Sequence, residues 1–256
     1  DCIDYAGRAE FLREIALMKS IGAHDRLVNI ICCVTRDEPL LLVIEYCACG
    51  DLLSFLRKRK SEAALSQHTL NPDPNDDAFS FTDQIMFSVQ IATGMEFLVS
   101  RGYIHRDLAA RNVLVDSRRT CKIGDFGLCR RIDDEDETYL AKGGKMPYKW
   151  MPPEAFRTFL FSSASDVWSF GVVLFEIFTL GEVPYADWPA AEVLDRLDAG
   201  ERLQRPINVD EHIFHIMKRC WAAEPNDRPD FGDLKSELSK ILEMTDESSN
   251  FYMFLT

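Results

Sequence analysis

The sequence predicts an α+β protein whose larger part is helical, and three observations carry that expectation. Two strand-like runs, 28–34 and 40–46, lie near the N-terminus with the turn-like TRDEP between them. Most of the chain after residue 80 repeats its apolar residues at helical spacing. A make-up of 46% hydrophobic and 28% charged residues over 256 positions excludes disordered, collagen-like and low-complexity chains. A chain of this length buries about 73% of its unfolded surface, enough for one large core or two joined lobes.

Each element follows from local pattern. Phe11, Leu12, Ile15, Met18 and Ile21 recur at helical spacing, and Gly22 marks a stop. Asp51 is placed to cap a short helix ending in the basic run 57–60. Residues 61–80 contain NPDPNDD and no period, so they read as a flexible insertion. A long helix is predicted over 82–100, with Ile85, Val89, Ala92 and Met95 on one face and Gly102 at its end. Short strand-like pieces stand at 112–115 and 121–124, and 125–154 reads as irregular. Further helices are expected near 165–180, 189–199, 210–221 and 230–243, and no internal repeat is present.

Net charge is −13, which argues against binding nucleic acid or an anionic membrane. Yet 101–131 holds eight Lys and Arg against three Asp, a basic island suited to a phosphorylated ligand or simply a patchy surface. The longest apolar stretch, VWSFGVVLFEIFTL at 167–180, is broken by Ser169 and Glu176; it is too short and too polar to span a bilayer. The eight cysteines form no CxxC pair and have no His at zinc-ligand spacing. They read as reduced thiols in core and surface positions, with Cys32, Cys33 and Cys121 in apolar runs.

The chemistry-bearing residues are concentrated in two strings. Residues 105–112 read HRDLAARN and residues 125–127 read DFG, with twelve residues between them. Together with KMPYKWMPPE (145–154), SDVWSFGV (165–172) and the pattern of Cys220, Trp221, Arg228 and Pro229, they resemble the catalytic domain of protein tyrosine kinases. EYCACGDLLSFLRKRK at 45–60 and the inserted loop look most like receptors of the platelet-derived and fibroblast growth factor groups, and LAARN points to tyrosine as the acceptor.

The resemblance implies a bilobal, protein-kinase-like α+β fold with a truncated β-rich small lobe and a complete, mainly α-helical large lobe. In these terms 1–46 is a partial small lobe, 47–50 a hinge, and 51–245 the large lobe, with the insertion at 61–80, an activation segment at 125–154 and a tail at 246–256. It implies transfer of the ATP γ-phosphoryl group to protein tyrosine with Mg²⁺. Asp125 and Asn112 would supply hard oxygen ligands for Mg²⁺ bridging the phosphates. Asp107 would face the acceptor hydroxyl. A phenol near pKa 10 and a carboxyl near 4 differ by about 6 units, or roughly 8 kcal/mol, so Asp107 would orient the phenol and take its proton late. Arg111 matches the position that steadies this carboxylate and the incoming phenol.

By the same resemblance Glu45 and Cys47 would offer backbone hydrogen bonds to adenine, with Ile44 as gatekeeper and Leu114 as pocket floor. Glu14 matches the glutamate that pairs with a strand lysine. Met18, Ile30, His105 and Phe126 would stack as a spine anchored through Asp166, with His105 structural rather than an acid or base. Glu154 and Arg228 would form a buried pair, and Trp150, Trp168 and Trp221 are core residues by default. Tyr139 follows five acids at 133–137. It reads either as a solvated loop tyrosine or as a phosphorylation site whose phosphate would pair with Arg106 and Arg130, unless the acids already occupy them. The partners implied are protein tyrosine substrates and a second copy through a parent receptor. The implied location is the cytoplasmic side of the plasma membrane, with this segment soluble and not itself inserted.

The sequence also departs from the family. No GxGxxG occurs in it, and its first lysine, Lys19, follows Glu14 on the same predicted helix. The roof of the nucleotide site is therefore expected to be missing from these residues. A fragment of a longer kinase is favoured over a shortened, inactive relative, because the carboxylates the chemistry needs are all present. The chain alone is expected to be inactive, with the edge of the strand at 40–44 exposed. Tyr148 stands where a small aliphatic residue is usual, and Pro152 replaces the common Ala.

Overall fold

The computed structural model describes residues 5–66, 79–132, 147–207 and 209–253. Among them the order begins with helix α1 (Tyr5–Ile21), then strands β1 (Ile30–Val34) and β2 (Leu41–Ile44), and helices α2 (Leu52–Ser66) and α3 (Phe81–Ser100). Three short strand pieces follow: β3 (Tyr103–Ile104), β4 (Val113–Val115) and β5 (Cys121–Ile123), with β6 (Arg130–Arg131) closing the series. The rest is helical: α4 (Pro153–Thr158), α5 (Ser163–Phe178), α6 (Val193–Asp198), α7 (Glu211–Cys220) and α8 (Phe231–Met253). The fold is thus mixed α+β with few strands.

The strands pair only in twos, all antiparallel: β1 with β2, β3 with β6, and β4 with β5. The β1–β2 ribbon leaves Ile31, Leu41, Val43 and Ile44 exposed, and Tyr46 beyond it is 87% exposed. Met18 and Ile21 of α1 nevertheless join the same buried cluster as the large helical unit.

That unit is organised around α5. Every residue at 165–178 is buried, so this helix lies inside the protein and turns no face of that stretch to solvent. Ser162 and Ser165 close a capping box at its start, and Ser80 with Asp83 does the same for α3. Gly171 lets α5 approach α7: a Cβ there would lie 2.6 Å from Nε1 of Trp221 and 2.7 Å from Cβ of Cys220. Helix α8 packs along α3.

Several boundaries differ from the sequence reading. Helix α2 runs through Ser66, so 61–66 is helical rather than part of a loop. Asp51 does cap it, accepting the N–H of Ser54 at 2.8 Å. The other end of the insertion is ordered by Phe79, whose ring packs against Phe55 and Phe87. Residues 67–78 lie outside the described residues. The expected tail at 246–256 is helical as far as Met253, because α8 continues without a break. The irregular segment at 125–154 contains β6, a 3₁₀ turn at Tyr148–Trp150 and the start of α4; 133–146 lies outside the described residues.

Candidate active site

The candidate site is built where the loop after β3 meets the end of β5. Its foundation is Asp166, in the first turn of α5 and 1% exposed. Its carboxylate accepts the backbone N–H groups of His105 at 2.7 Å and Arg106 at 2.9 Å. Arg106 has φ 69°, in the left-handed region that non-glycine residues rarely adopt, and this clamp holds it there. Burial raises the Asp166 pKa, and the two N–H groups and the neighbouring His105 and Arg106 oppose that shift.

His105 is fully buried and ties the loop to the neighbouring strand. Its Nε2 lies 3.0 Å from the carbonyl of Gly124, and its Nδ1 accepts the N–H of Asp107 at 3.3 Å. These contacts fit the tautomer with hydrogen on Nε2 and tie the imidazole between the loop and the strand. Its ring packs 5.8 Å from that of Phe126. Phe126 and Met18 belong to the buried cluster, and Ile30 packs against it.

Asp107, Arg111 and Asn112 form one unit. The Asn112 amide nitrogen donates to the Asp107 carbonyl at 2.7 Å and to its carboxylate Oδ2 at 2.9 Å. Arg111 pairs with Oδ1 of the same carboxylate, and its guanidinium lies over the Trp150 ring, 4.4 Å from the centroid. Burial pushes the Asp107 pKa up; Arg111, His105 and Asn112 pull it back, and Asp125 adds to the rise. The two aspartates are therefore close enough to sense each other's charge.

Asp125 is brought there by the backbone. The N–H of Gly124 donates to the carbonyl of Asn112 at 2.8 Å, and a Cβ at Gly124 would press on Val28 at 3.2 Å. Asp125 itself has φ 54° and is exposed, with Oδ1 3.4 Å from the N–H of Gly127.

The donor set suits a hard cation. Both hydrogen bonds of the Asn112 nitrogen go to Asp107, which leaves its amide oxygen as the ligating atom. Among the described residues no group of three or more His, Cys, Asp or Glu is arranged to hold a metal. A cation here would be held by the oxygens of Asn112 and Asp125 and complete its shell with water or phosphate oxygens, which is how Mg²⁺ is commonly bound.

Residues 45–51, after β2, are held from both sides. The N–H of Cys49 donates to the Val115 carbonyl at 3.0 Å, and the N–H of Val115 to Gly50 at 2.8 Å; Leu114 pairs with Asp51 in an isolated bridge. Cys47 is buried, and its thiol pKa is raised by that burial. The Glu45 N–H donates to the Asn29 carbonyl at 3.1 Å, so of its backbone groups only the carbonyl is left for a ligand. Its side chain has a separate task that sequence reasoning missed. Oε1 accepts from the Asn29 backbone at 2.7 Å and side chain at 2.9 Å, and Oε2 pairs with Lys122 at 2.9 Å. Lys122 also donates to the Asp25 carbonyl at 3.0 Å. Nothing in the sequence marks Asn29 or Lys122, because their partners lie 16 and 77 positions from them.

Other expected residues find simpler places. Glu14 is half-buried on α1. Arg106 lies over the Phe161 ring at 5.4 Å, and Arg130 is buried, donating to the carbonyls of Gly127 and Cys129 at 3.1 and 2.6 Å. Arg228 and Glu154 form a two-pronged pair at 2.6 and 3.1 Å; the arginine side chain is fully buried, whereas the glutamate is 31% exposed. Trp168 and Trp221 are core residues, but Trp150 is only half-buried, because one face takes Arg111 and its N–H reaches into the interior. Cys121 is buried as expected; Cys32 is exposed and Cys33 half-buried on the β1–β2 ribbon. Tyr139 lies outside the described residues.

Comparison with known proteins accounts for this arrangement. The sequence profile of the protein tyrosine and serine/threonine kinases matches residues 3–238. The chain is 42% identical over 248 residues to a Caenorhabditis elegans protein provisionally assigned as tyrosine-protein kinase F09A5.2, covering 97% of this chain and 28% of that one. It is 41% identical over 238 residues to fibroblast growth factor receptor 1 of Xenopus laevis, covering 93% and 29%. It is also 41% identical over 264 residues to the tyrosine-protein kinase receptor torso of Bombyx mori, covering 91% and 32%. The chain thus spans about a third or less of the length of these relatives. With the profile matched over nearly its whole length, the chain belongs to the protein tyrosine and serine/threonine kinase family, and its relatives include receptor tyrosine kinases.

Proposed function

We propose that this chain is the bulk of the catalytic domain of a receptor-type tyrosine kinase, which transfers the ATP γ-phosphoryl group to tyrosine on protein substrates. One observation carries the reading: the carboxylate of Asp107 is gripped by Asn112 and Arg111, and the Asn112–Gly124 backbone bond ties that same turn to the residue before Asp125. Phosphoryl transfer asks for positioning and for neutralisation of charge more than for covalent work by the protein.

Each residue then has a defined task. Asp107 accepts a hydrogen bond from the substrate phenol and takes its proton as the bond to phosphorus forms. Its raised pKa narrows the gap to the phenol, which makes that late transfer easier. Asn112 fixes the direction of the carboxylate, and its free amide oxygen, with Asp125, would hold Mg²⁺. That ion, when bound with ATP, supplies charge neutralisation on the phosphates. Arg111 keeps Asp107 from rotating. The Glu45 carbonyl and the Cys47 backbone would receive adenine over Leu114.

The catalytic-domain relatives support protein tyrosine as substrate, pairing with a second receptor copy, and a cytoplasmic position in the parent protein. The 256 residues contain no GxGxxG, and we propose that they are inactive without a Gly-rich loop and strand lysine. The same observation favours a second reading, a kinase-like binding module that transfers no phosphate. Transfer from labelled ATP to a tyrosine peptide, measured for the full-length protein, its Asp107→Asn variant and residues 1–256, decides between them. The kinase reading expects activity only in the first. Absence of transfer by the full-length protein establishes the binding module, and robust transfer by residues 1–256 removes the claim that they are incomplete.

A further inference from the structure

Glu176 interrupts the apolar run of α5 and is 1% exposed. A carboxylate in such surroundings requires donors. Its Oε2 receives two, the backbone N–H of Ala110 at 2.9 Å and the indole N–H of Trp150 at 3.0 Å. Ala110 opens the 3₁₀ turn that carries Arg111 and Asn112. Trp150 is the platform beneath the Arg111 guanidinium, and its carbonyl accepts the Ser169 hydroxyl at 2.7 Å, a second tie to α5. Arg111 in turn pairs with Asp107. One buried oxygen therefore joins the turn below Arg111 to the ring stacked on it.

We infer that Glu176 is a positioning residue for Asp107: its carboxylate, through Ala110 and Trp150, fixes the plane of the Arg111 guanidinium and with it the direction of the Asp107 carboxylate. The kinetic side of this inference rests on the kinase reading; the structural side does not.

The charged groups acting on Glu176 are Arg111 from the turn and Arg57 from α2, both favouring its anion. Arg57 itself donates to the Gly181 carbonyl, and Lys149, next to Trp150, turns away to the Tyr185 carbonyl at 3.1 Å. Burial outweighs the donors and raises the Glu176 pKa to about 7 from 4.5. The sign follows directly. A carboxyl whose folded pKa is raised stabilises the fold relative to its anion at low pH, and that stability is lost as pH rises from 4.5 to about 7. Above pH 7 the fold holds an anion at a cost to stability, which suits a group kept for positioning and not for packing.

Glu176→Gln tests this, because its neutral amide oxygen holds the Ala110 and Trp150 donors more weakly than a carboxylate does and no longer attracts the Arg111 guanidinium, while the side chain keeps its shape. At pH 8 the variant should melt higher than wild type, and the full-length enzyme carrying it should lose about tenfold in kcat with the nucleotide KM unchanged. Wild-type kcat should fall as pH drops through about 7, and this inflection should vanish in the variant. A packing role alone predicts the reverse, a lower melting temperature with kcat retained, and that result overturns the inference. Nuclear magnetic resonance supplies a readout independent of turnover. The Trp150 indole and Arg111 Nε–H cross-peaks should titrate together near pH 7 in wild type and not in Glu176→Gln. If they do not move, or move alike in both proteins, the inference fails whatever the kinetics. If they titrate as expected while the full-length protein transfers no phosphate, the kinase reading fails and the link from Glu176 to Arg111 stands.

Discussion

The amide nitrogen of Asn112 reaches Asp107 twice, at its carbonyl and at its carboxylate, so the two side chains behave as one rigid piece. A carboxylate that must meet an incoming hydroxyl gains from this, since its free rotation is removed before the substrate arrives.

Replacing either member should therefore damage turnover more than binding. Asp107→Asn in the full-length protein should lower kcat by about 10² to 10⁴-fold, the usual worth of a general base. Asn112→Ala should lower kcat in the same direction while costing no more than about 3 kcal/mol of stability, the cost of one unsatisfied buried group. Steady-state kinetics with a tyrosine peptide, run beside thermal denaturation, checks both.

Asp166 holds the loop after β3 by two backbone N–H groups, and Asp166→Ala would leave both without their acceptor. At about 1–3 kcal/mol for each of the two orphaned donors, the loss should be about 2–6 kcal/mol in urea unfolding. Arg106 should then leave its left-handed conformation, which its backbone chemical shifts would report.

The bracket of Asn29, Glu45 and Lys122 links the loop after α1, the segment after β2, and β5. Lys122→Met should destabilise the protein, because Glu45 loses its cation while remaining partly buried. Glu45→Gln alone should cost less. In a double-mutant cycle the two changes should couple by about 0.5–3 kcal/mol; additive effects would show that the ion pair contributes nothing of its own.

Thiol chemistry should divide the cysteines by burial. Cys32 and Cys49 are exposed and should react with a thiol reagent in the native protein. Cys121, Cys129 and Cys220 are buried with raised pKa values, to about 12 for Cys220, and should react only after unfolding. Mass spectrometry of labelled peptides, before and after denaturant, gives the assignment.

Gly171 sits where α5 and α7 touch, and Gly171→Ala would force its methyl group against the Trp221 indole. Overpacking of this kind costs about 1–3 kcal/mol. Differential scanning calorimetry should show the drop without loss of helical signal.

How much of this was legible beforehand depends on the range of the interaction. Asp107, Arg111 and Asn112 stand within five positions of one another, so one short turn brings them together, and the string HRDLAARN discloses them. The Asp51 cap is equally local, since its side chain reaches an N–H three residues ahead; the Ser80 cap, just as local, was not read. Helix ends were less legible. The helical stretch 61–66 and the continuation of α8 to Met253 lack a Gly or Pro stop where the reading placed one.

The sequence by itself determined the family, the α+β class, and which acids and amide are the candidates for the chemistry, because those are properties of residue order over short spans. Only the tertiary structure decided how they are held. Asp166 lies 59 positions beyond Asp107, Glu176 lies 66 beyond Ala110, and Lys122 lies 77 beyond Glu45. A glutamate inside an apolar run announces that a buried charge needs partners, but not which. Closing those long loops is the work of the buried α5 helix and its neighbours, whose apolar packing brings distant polar groups within hydrogen-bond reach.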